Sequence, residues 1–327
     1  MKISAGIGSV DDLREMAAAG ADSVYFGYVP PEWYRRFGEG TALNRREALS
    51  YNVQIGSRAE LLILRDLCRI LRIPARVVFN APQYPKAALP HVLSVVREAA
   101  EAGFRDIIAA DRPLIRRLAA GGDGVPSGLR LYVSGEYGEL NYHAVRELAA
   151  FGAAGIIFPR QTAIAEMAAL TAAFPSLEYE AFVLNEKCHF TGAYCSSLHT
   201  DVLGALCRLP CRLAAGTEGK AELPGHDPGP ERAEGEAGIS PGSGGCGLCA
   251  LPALRSAGIT SLKVVSRGCD RETAAASVRC LRTALDLLAE TPSPEAYRER
   301  ILGTLFPEGC GGDCYYDETR QGVCLRR

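Results

Sequence analysis

Short apolar, β-branched runs alternate with amphipathic helical patterns along almost the whole chain, and this alternation limits the available architectures more than any other feature. The runs that read as strands are Lys2 to Ile7, Ser23 to Tyr28, Ala75 to Pro82, Asp106 to Asp111, Arg130 to Tyr137, Gly155 to Arg160, Tyr179 to Asn185 and Ser261 to Arg267. The helical segments between them carry end signals. SVDDLREMAAAGA opens on Ser9 with an acidic first turn and stops at Gly20, while HVLSVVREAAEAG and YHAVRELAAFG also end on glycine. A helix between two strands returns the chain across the sheet, so successive strands lie parallel. Eight such units predict an α/β fold of the (β/α)8 TIM-like barrel type rather than an open doubly wound sheet, and no GxGxxG follows the first strand. A length of 327 residues with 47% apolar side chains suits one such barrel with an appendage.

Two regions interrupt the pattern. Residues 30–56 form a long connection after the second strand, and long connections in compact domains commonly serve as lids or binding loops. Within it, Leu43-Asn44-Arg45-Arg46-Glu47 places two cations side by side, either at a solvated helix start or on a lid that closes over an anion. Residues 186–250 form a cysteine-rich insertion after the seventh strand; its stretch 214–245 is dominated by Gly, Pro, Glu and Ala, a composition expected to be flexible. The barrel is thus expected over 1–291 with that insertion inside it, and 292–327 as a small cysteine-containing tail.

The opening MKISAGIGSVDDL lacks a basic stretch followed by an apolar one, and nowhere do about 18 apolar residues run without a charge. The expectation is a cytoplasmic protein without a membrane segment, and the formal charge of -2 gives no reason to expect DNA as a partner. In a reducing compartment, 12 cysteines point to metal or redox chemistry rather than a disulfide framework. Cys68, alone in the first 187 residues, sits in the helical pattern LLILRDLCRILRI and reads as a small core hydrophobe. The others fall between Cys188 and Cys324, with the spacing Cys188-x6-Cys195-x11-Cys207-x3-Cys211 and then Cys246-x2-Cys249. Soft thiolate donors at such spacing suit an iron–sulfur cluster, with zinc as the alternative.

Several of these segments resemble one family in order. ISAGIGSVDDLREMAAAGADSVYFG, Asp111 in IIAAD, Arg160 in IIFPR, EAFVLNEKCHFTGAYCSS, CRLPC and AGITSLKVVSRG are similar to motifs of the collagenase-like peptidase family U32. The resemblance implies a four-iron four-sulfur cluster and oxygen-independent hydroxylation or a related redox modification of a small molecule or an RNA base. It places Cys188, Cys195 and Cys207 in ligand positions and leaves the fourth among Cys211, Cys246 and Cys249, with Cys249 as the fourth in the metal set. It also implies a possible protein partner of the same family. The chain departs from the family pattern in the short linker SSLHTDVLGAL, which weakens any transfer of an RNA substrate, and in the C-terminal CGGDCYYDETRQGVC. There Cys310, Cys314 and Cys324 are either further ligands or idle thiols.

Barrels of this kind do their chemistry at the carboxyl ends of the strands. The polar residues expected there are Tyr25, Asn80, Asp111, Ser134, Glu136, Arg160, Asn185, Lys263 and Arg267. The family signature puts Glu180 inside the seventh strand, where a buried carboxylate needs a partner such as Arg160. Arg160, Glu180, Lys263 and Arg267 are therefore the catalytic candidates, with the arginines suited to a small anionic substrate. His189 and His199 flank the cysteines as exposed loop residues. A protease is the alternative function, although the sequence has neither a GxSxG elbow between a strand and a helix nor an HExxH zinc site. A non-catalytic iron–sulfur subunit of a heteromeric complex is the third.

Overall fold

In a computed structural model of the chain, eight parallel strands close into a barrel surrounded by helices. The described residues are 1–38, 41–45, 53–138, 140–188, 192–195, 244–310 and 314–316, with the backbone of 199–200 and 204–205. The barrel strands are β1 (Lys2–Ile7), β2 (Ser23–Gly27), β3 (Ala75–Phe79), β4 (Asp106–Ala109), β5 (Arg130–Val133), β6 (Gly155–Ile157), β7 (Glu178–Leu184) and, after a short antiparallel hairpin of β8 (His199–Thr200) and β9 (Gly204–Ala205), β10 (Ser261–Val264). They follow one another around the barrel in chain order, and β10 closes it against β1.

The expected and observed strands begin within a residue of each other, but all except the first run too far at the carboxyl end in the sequence reading. Residues such as Ala110, Tyr28 and Phe158 are apolar and buried, so they carry the strand signature, yet they lie just past the strand ends. Pairing fades past these ends rather than stopping: Phe158 still donates its backbone N–H to the Glu180 carbonyl, and Tyr28 forms a lone β-bridge with Ile55.

The helices form where local chemistry and an apolar face agree. In α1 (Val10–Ala18), the Asp12 carboxylate accepts from the backbone N–H groups of Gly8 and Ser9, while Leu13 and Met16 face the core. In α3 (Arg58–Leu71), the Ser57 hydroxyl accepts from the Glu60 N–H, and Leu61, Leu64 and Cys68 share the buried face. Burial pushes the Cys68 thiol up to about 12, so it serves as a core hydrophobe.

The barrel interior is not wholly apolar. Glu180 on β7 is almost completely buried and accepts from Arg76 Nη1 at 2.8 Å, Lys263 Nζ at 2.9 Å and Ser261 Oγ at 3.0 Å. Strands β3 and β7 lie on opposite sides of the barrel, so the Arg76 pair crosses it. Arg76 also lies 3.5 Å from half-exposed Glu178, the first residue of β7, which sets this network toward the amino-terminal end.

The chain end packs back onto the barrel. Helix α10 (Pro294–Leu305) lies against α9 (Arg271–Glu290), and buried Tyr297 donates to the Leu248 carbonyl at 3.0 Å. Cys246 forms β-bridges with Leu184 on one side and Cys314 on the other. Tyr315 and Tyr316 follow Cys314 and are both buried, the Tyr316 hydroxyl donating to the Phe182 carbonyl at 2.7 Å.

Candidate functional site

Above the buried ion network, the barrel opens into a mouth built from the carboxyl ends of the strands. Lys263 links the two levels: its Nζ holds Glu180 and lies 3.4 Å from the Tyr25 ring centroid, a cation against an aromatic face. Burial pulls Lys263 down to about 8, and Glu180 offsets only part of that. Burial acts on Glu180 in the opposite direction, but Lys263, Arg76 and the hydrogen bonds outweigh it and hold the carboxyl below its ordinary range.

One side of the mouth is closed by Arg267, which follows β10. Its Nη1 donates to Asn44 Oδ1 at 3.1 Å, and Tyr25 donates its hydroxyl to the Val264 carbonyl at 3.0 Å. Gly27 at the end of β2 makes this possible, because a Cβ there would lie 2.8 Å from both Arg267 Nη1 and Asn44 Nδ2. Asn44 belongs to the long second connection, so that segment reaches across the mouth.

The other side carries two guanidinium groups around one carboxylate. Arg160, just beyond β6, lies 3.3 Å from Glu136 Oε1 and 4.1 Å above the Phe182 ring. Arg45 Nε lies 3.6 Å from Glu136 Oε2, and its backbone N–H donates to Asn80 Oδ1 at 3.0 Å. Burial is the largest influence and would pull the Arg160 guanidinium down, but Glu136, Tyr315, Glu186 and Cys188 together outweigh it, so Arg160 stays a cation. Among the described residues its buried Nε has no hydrogen-bond partner, an orphaned donor beside the mouth. Arg45 Nη2 donates to Cys195 Sγ at 2.7 Å. Gly192 packs so closely on Glu136 that any Cβ would fall on its carboxylate, which sets the turn preceding Cys195 against this group. Gln161 donates to the Cys188 carbonyl at 2.7 Å. A cavity of about 490 Å³ opens beside the same turn, lined by Gln83, Tyr84, Arg112, Tyr137 and Tyr194 among others.

The sequence candidates therefore separate into groups. Cys188 and Cys195 lie at the mouth with Arg160, while Arg267 closes its opposite side. Glu180 and Lys263 lie deeper, with Lys263 reaching up to Tyr25. The expected Glu180–Arg160 pair does not form: Arg76 and Lys263 take Glu180, and Glu136 takes Arg160. Asn185 sits at positive φ and donates to the Val265 carbonyl and the Ser277 hydroxyl. Asp111 caps α5 (Arg112–Ala120) through the Leu114 N–H at 2.7 Å, a structural role.

Cys246 and Cys249 lie alongside the end of β7, and burial pushes the Cys246 thiol up. Among the described residues no three Cys, His, Asp or Glu side chains converge as a metal site. Cys207, Cys211, Cys324, His189, Arg46, Glu47 and the His199 side chain lie outside the described residues. Arg76 and the sulfur contact of Arg45 were not anticipated. Arg45 stood in the flagged pair of loop cations, but nothing in its neighbourhood names a cysteine 150 positions away.

A model of peptidase family U32 matches residues 8–320. Among curated proteins there is no match. The solved structures similar to this chain include the U32 peptidase Mk0906, with 14% identity, a TM-score of 0.42, and coverage of 59% of this chain and 73% of that one. N-acetylneuraminate lyase from Fusobacterium nucleatum is similar at 11% identity and a TM-score of 0.48, covering 93% and 80%. CdNal from Clostridium difficile, in complex with mannosamine, is similar at 12% identity and a TM-score of 0.49, again covering 93% and 80%. These structural likenesses are too weak to bear on activity. The family match extends over nearly the whole chain, and the chain belongs to peptidase family U32.

Proposed function

We propose that this U32 protein is an iron–sulfur enzyme that carries out oxygen-independent hydroxylation, or a related redox modification, on a small anionic molecule or an RNA base. The observation that carries the proposal is the neighbourhood of Cys195. Its sulfur takes a hydrogen bond from Arg45 at the barrel mouth, with Arg160 close by and Cys188 leaving the same strand end.

The donor set fits such a group. Cys188 and Cys195 are partly exposed soft donors, and the Arg45 and Arg160 guanidinium groups stand beside them around the Glu136 carboxylate. A cluster held by thiolates is anionic, so guanidinium donors at this distance favour its binding. Cys188, Cys195 and Cys207 would hold it together with Cys249, Cys246 or Cys211. When bound, the cluster supplies one-electron redox chemistry.

The chain's own residues do the remaining work. Arg160 is placed to orient an anionic group of the substrate, with its planar guanidinium stacked over the Phe182 ring. Asn44 and Arg267 close the opposite side and limit the entry of water. A cytoplasmic location belongs to the same proposal, since reducing surroundings keep the thiols available as ligands. No helix among the described residues is long and apolar enough to cross a membrane.

Anaerobic purification followed by an absorption spectrum and an iron and sulfide count tests the assignment. The expected protein is brown and loses most of its iron in each of the Cys188→Ser, Cys195→Ser and Cys207→Ser variants. A colourless protein that contains zinc, or three variants that keep full iron, would overturn it.

A further inference from the structure

Arg45 joins the barrel framework to a cysteine sulfur through its side chain. Three observations fix it. Its backbone N–H is held by Asn80 Oδ1 at 3.0 Å, its Nε faces Glu136 Oε2 at 3.6 Å, and its Nη2 donates to Cys195 Sγ at 2.7 Å. Its side chain is mostly buried, as is that of Glu136, so solvent screens these contacts weakly. Glu136 is fixed in turn. Its backbone N–H donates to the Ser134 hydroxyl at 3.2 Å, Arg160 takes its other carboxylate oxygen, and Gly192 packs directly against it. The guanidinium is therefore preorganised, and a chain of polar contacts runs from the end of β5 to the sulfur.

We infer that Arg45 is a positioning residue for the redox centre: held by Glu136 and Asn80, its guanidinium orients the Cys195 sulfur and raises the reduction potential of the cluster that this sulfur ligates. The inference rests on the iron–sulfur assignment above and adds to it a residue that controls the cluster's electronics. Each electron added to a cluster adds negative charge. A fixed cation donating a hydrogen bond to a ligand sulfur stabilises the reduced form more than the oxidised one. The pairing with Glu136 removes part of that field but aims the Nη2 donor, which a freely moving arginine would not do.

The test compares the full-length protein with Arg45→Met and Arg45→Lys, all purified without oxygen. Iron per chain is measured first, then the midpoint potential by dithionite titration followed by electron paramagnetic resonance. In Arg45→Met the ratio of reduced to oxidised cluster at fixed potential should fall about tenfold, which for a one-electron couple is a shift of about 59 mV to more negative values. Arg45→Lys keeps the charge and should recover part of the shift. Should Arg45→Met lose its iron, retention of iron by Arg45→Lys gives the same support, because a purely steric role would not be rescued by charge. If both variants keep wild-type iron and wild-type potential, the inference is wrong while the cluster assignment stands. If the unmodified protein holds no iron, the cluster assignment itself fails.

Discussion

Glu180 is the residue on which the barrel interior turns. A carboxylate this deeply buried is tolerable only with its charge matched, and Arg76 and Lys263 do so from β3 and β10. Glu180→Gln would leave two buried cations facing a neutral amide. It should cost about 3–5 kcal/mol in urea unfolding. Lys263→Met should cost clearly less, because Arg76 and Ser261 still satisfy the carboxylate. Equal losses in the two variants would show that Arg76 carries none of the compensation.

The same network makes stability depend on pH in a definite direction. Folding lowers Lys263 from 10.5 to about 8 because burial penalises its charge. Between those values the unfolded chain holds the extra proton, so this group's contribution to stability rises with pH across the window, by at most roughly 1.4 kcal/mol per pH unit. Unfolding free energies of the wild type and Lys263→Met at pH 7.5 and pH 10, roughly spanning the window, should show the rise in the former only. Arg76 escaped the sequence reading for a physical reason. Its partner lies 104 positions away on the opposite strand, and a strand's alternation gives its facing but not its partner across a closed barrel.

At the level of elements, the strongest unanticipated packing is at the chain end. Its composition near Cys310 and Cys314 resembles a loose tail, yet Tyr315 and Tyr316 are buried against the end of β7, and Cys246 bridges both segments. Tyr316→Ala should cost about 3–5 kcal/mol, as for other large aromatic truncations in cores, and Tyr316→Phe about 1 kcal/mol for the lost hydrogen bond to Phe182. If Tyr316→Ala unfolds at the wild-type urea midpoint, the tail is not part of the fold.

The eight strands were legible because alternation, caps and terminal glycines agree along the chain. Their carboxyl ends were not, since buried residues just past them, such as Phe158 and Ala110, look like strand by composition alone. Of the site, Cys188, Cys195, Arg160 and Arg267 could be placed near the mouth from their positions at strand ends. Glu136 was visible as a polar residue, but its role between Arg45 and Arg160 depends on three connections meeting in space.

Taken whole, the molecule is a barrel with two unlike ends. The amino-terminal half of its interior is held by a compensated ion network, while the carboxyl-terminal mouth carries thiols, two guanidinium groups and a buried guanidinium N–H without a partner among the described residues. The buried ion network holds one end together, and the proposed function places the redox centre at the other, where barrels of this architecture do their chemistry. The most direct test of the central claim is an X-ray anomalous difference map at the iron edge from crystals grown without oxygen. The account predicts iron at the mouth, bonded to Cys188 and Cys195 and beside Arg45. Iron at the amino-terminal end, or a signal at the zinc edge alone, would contradict it.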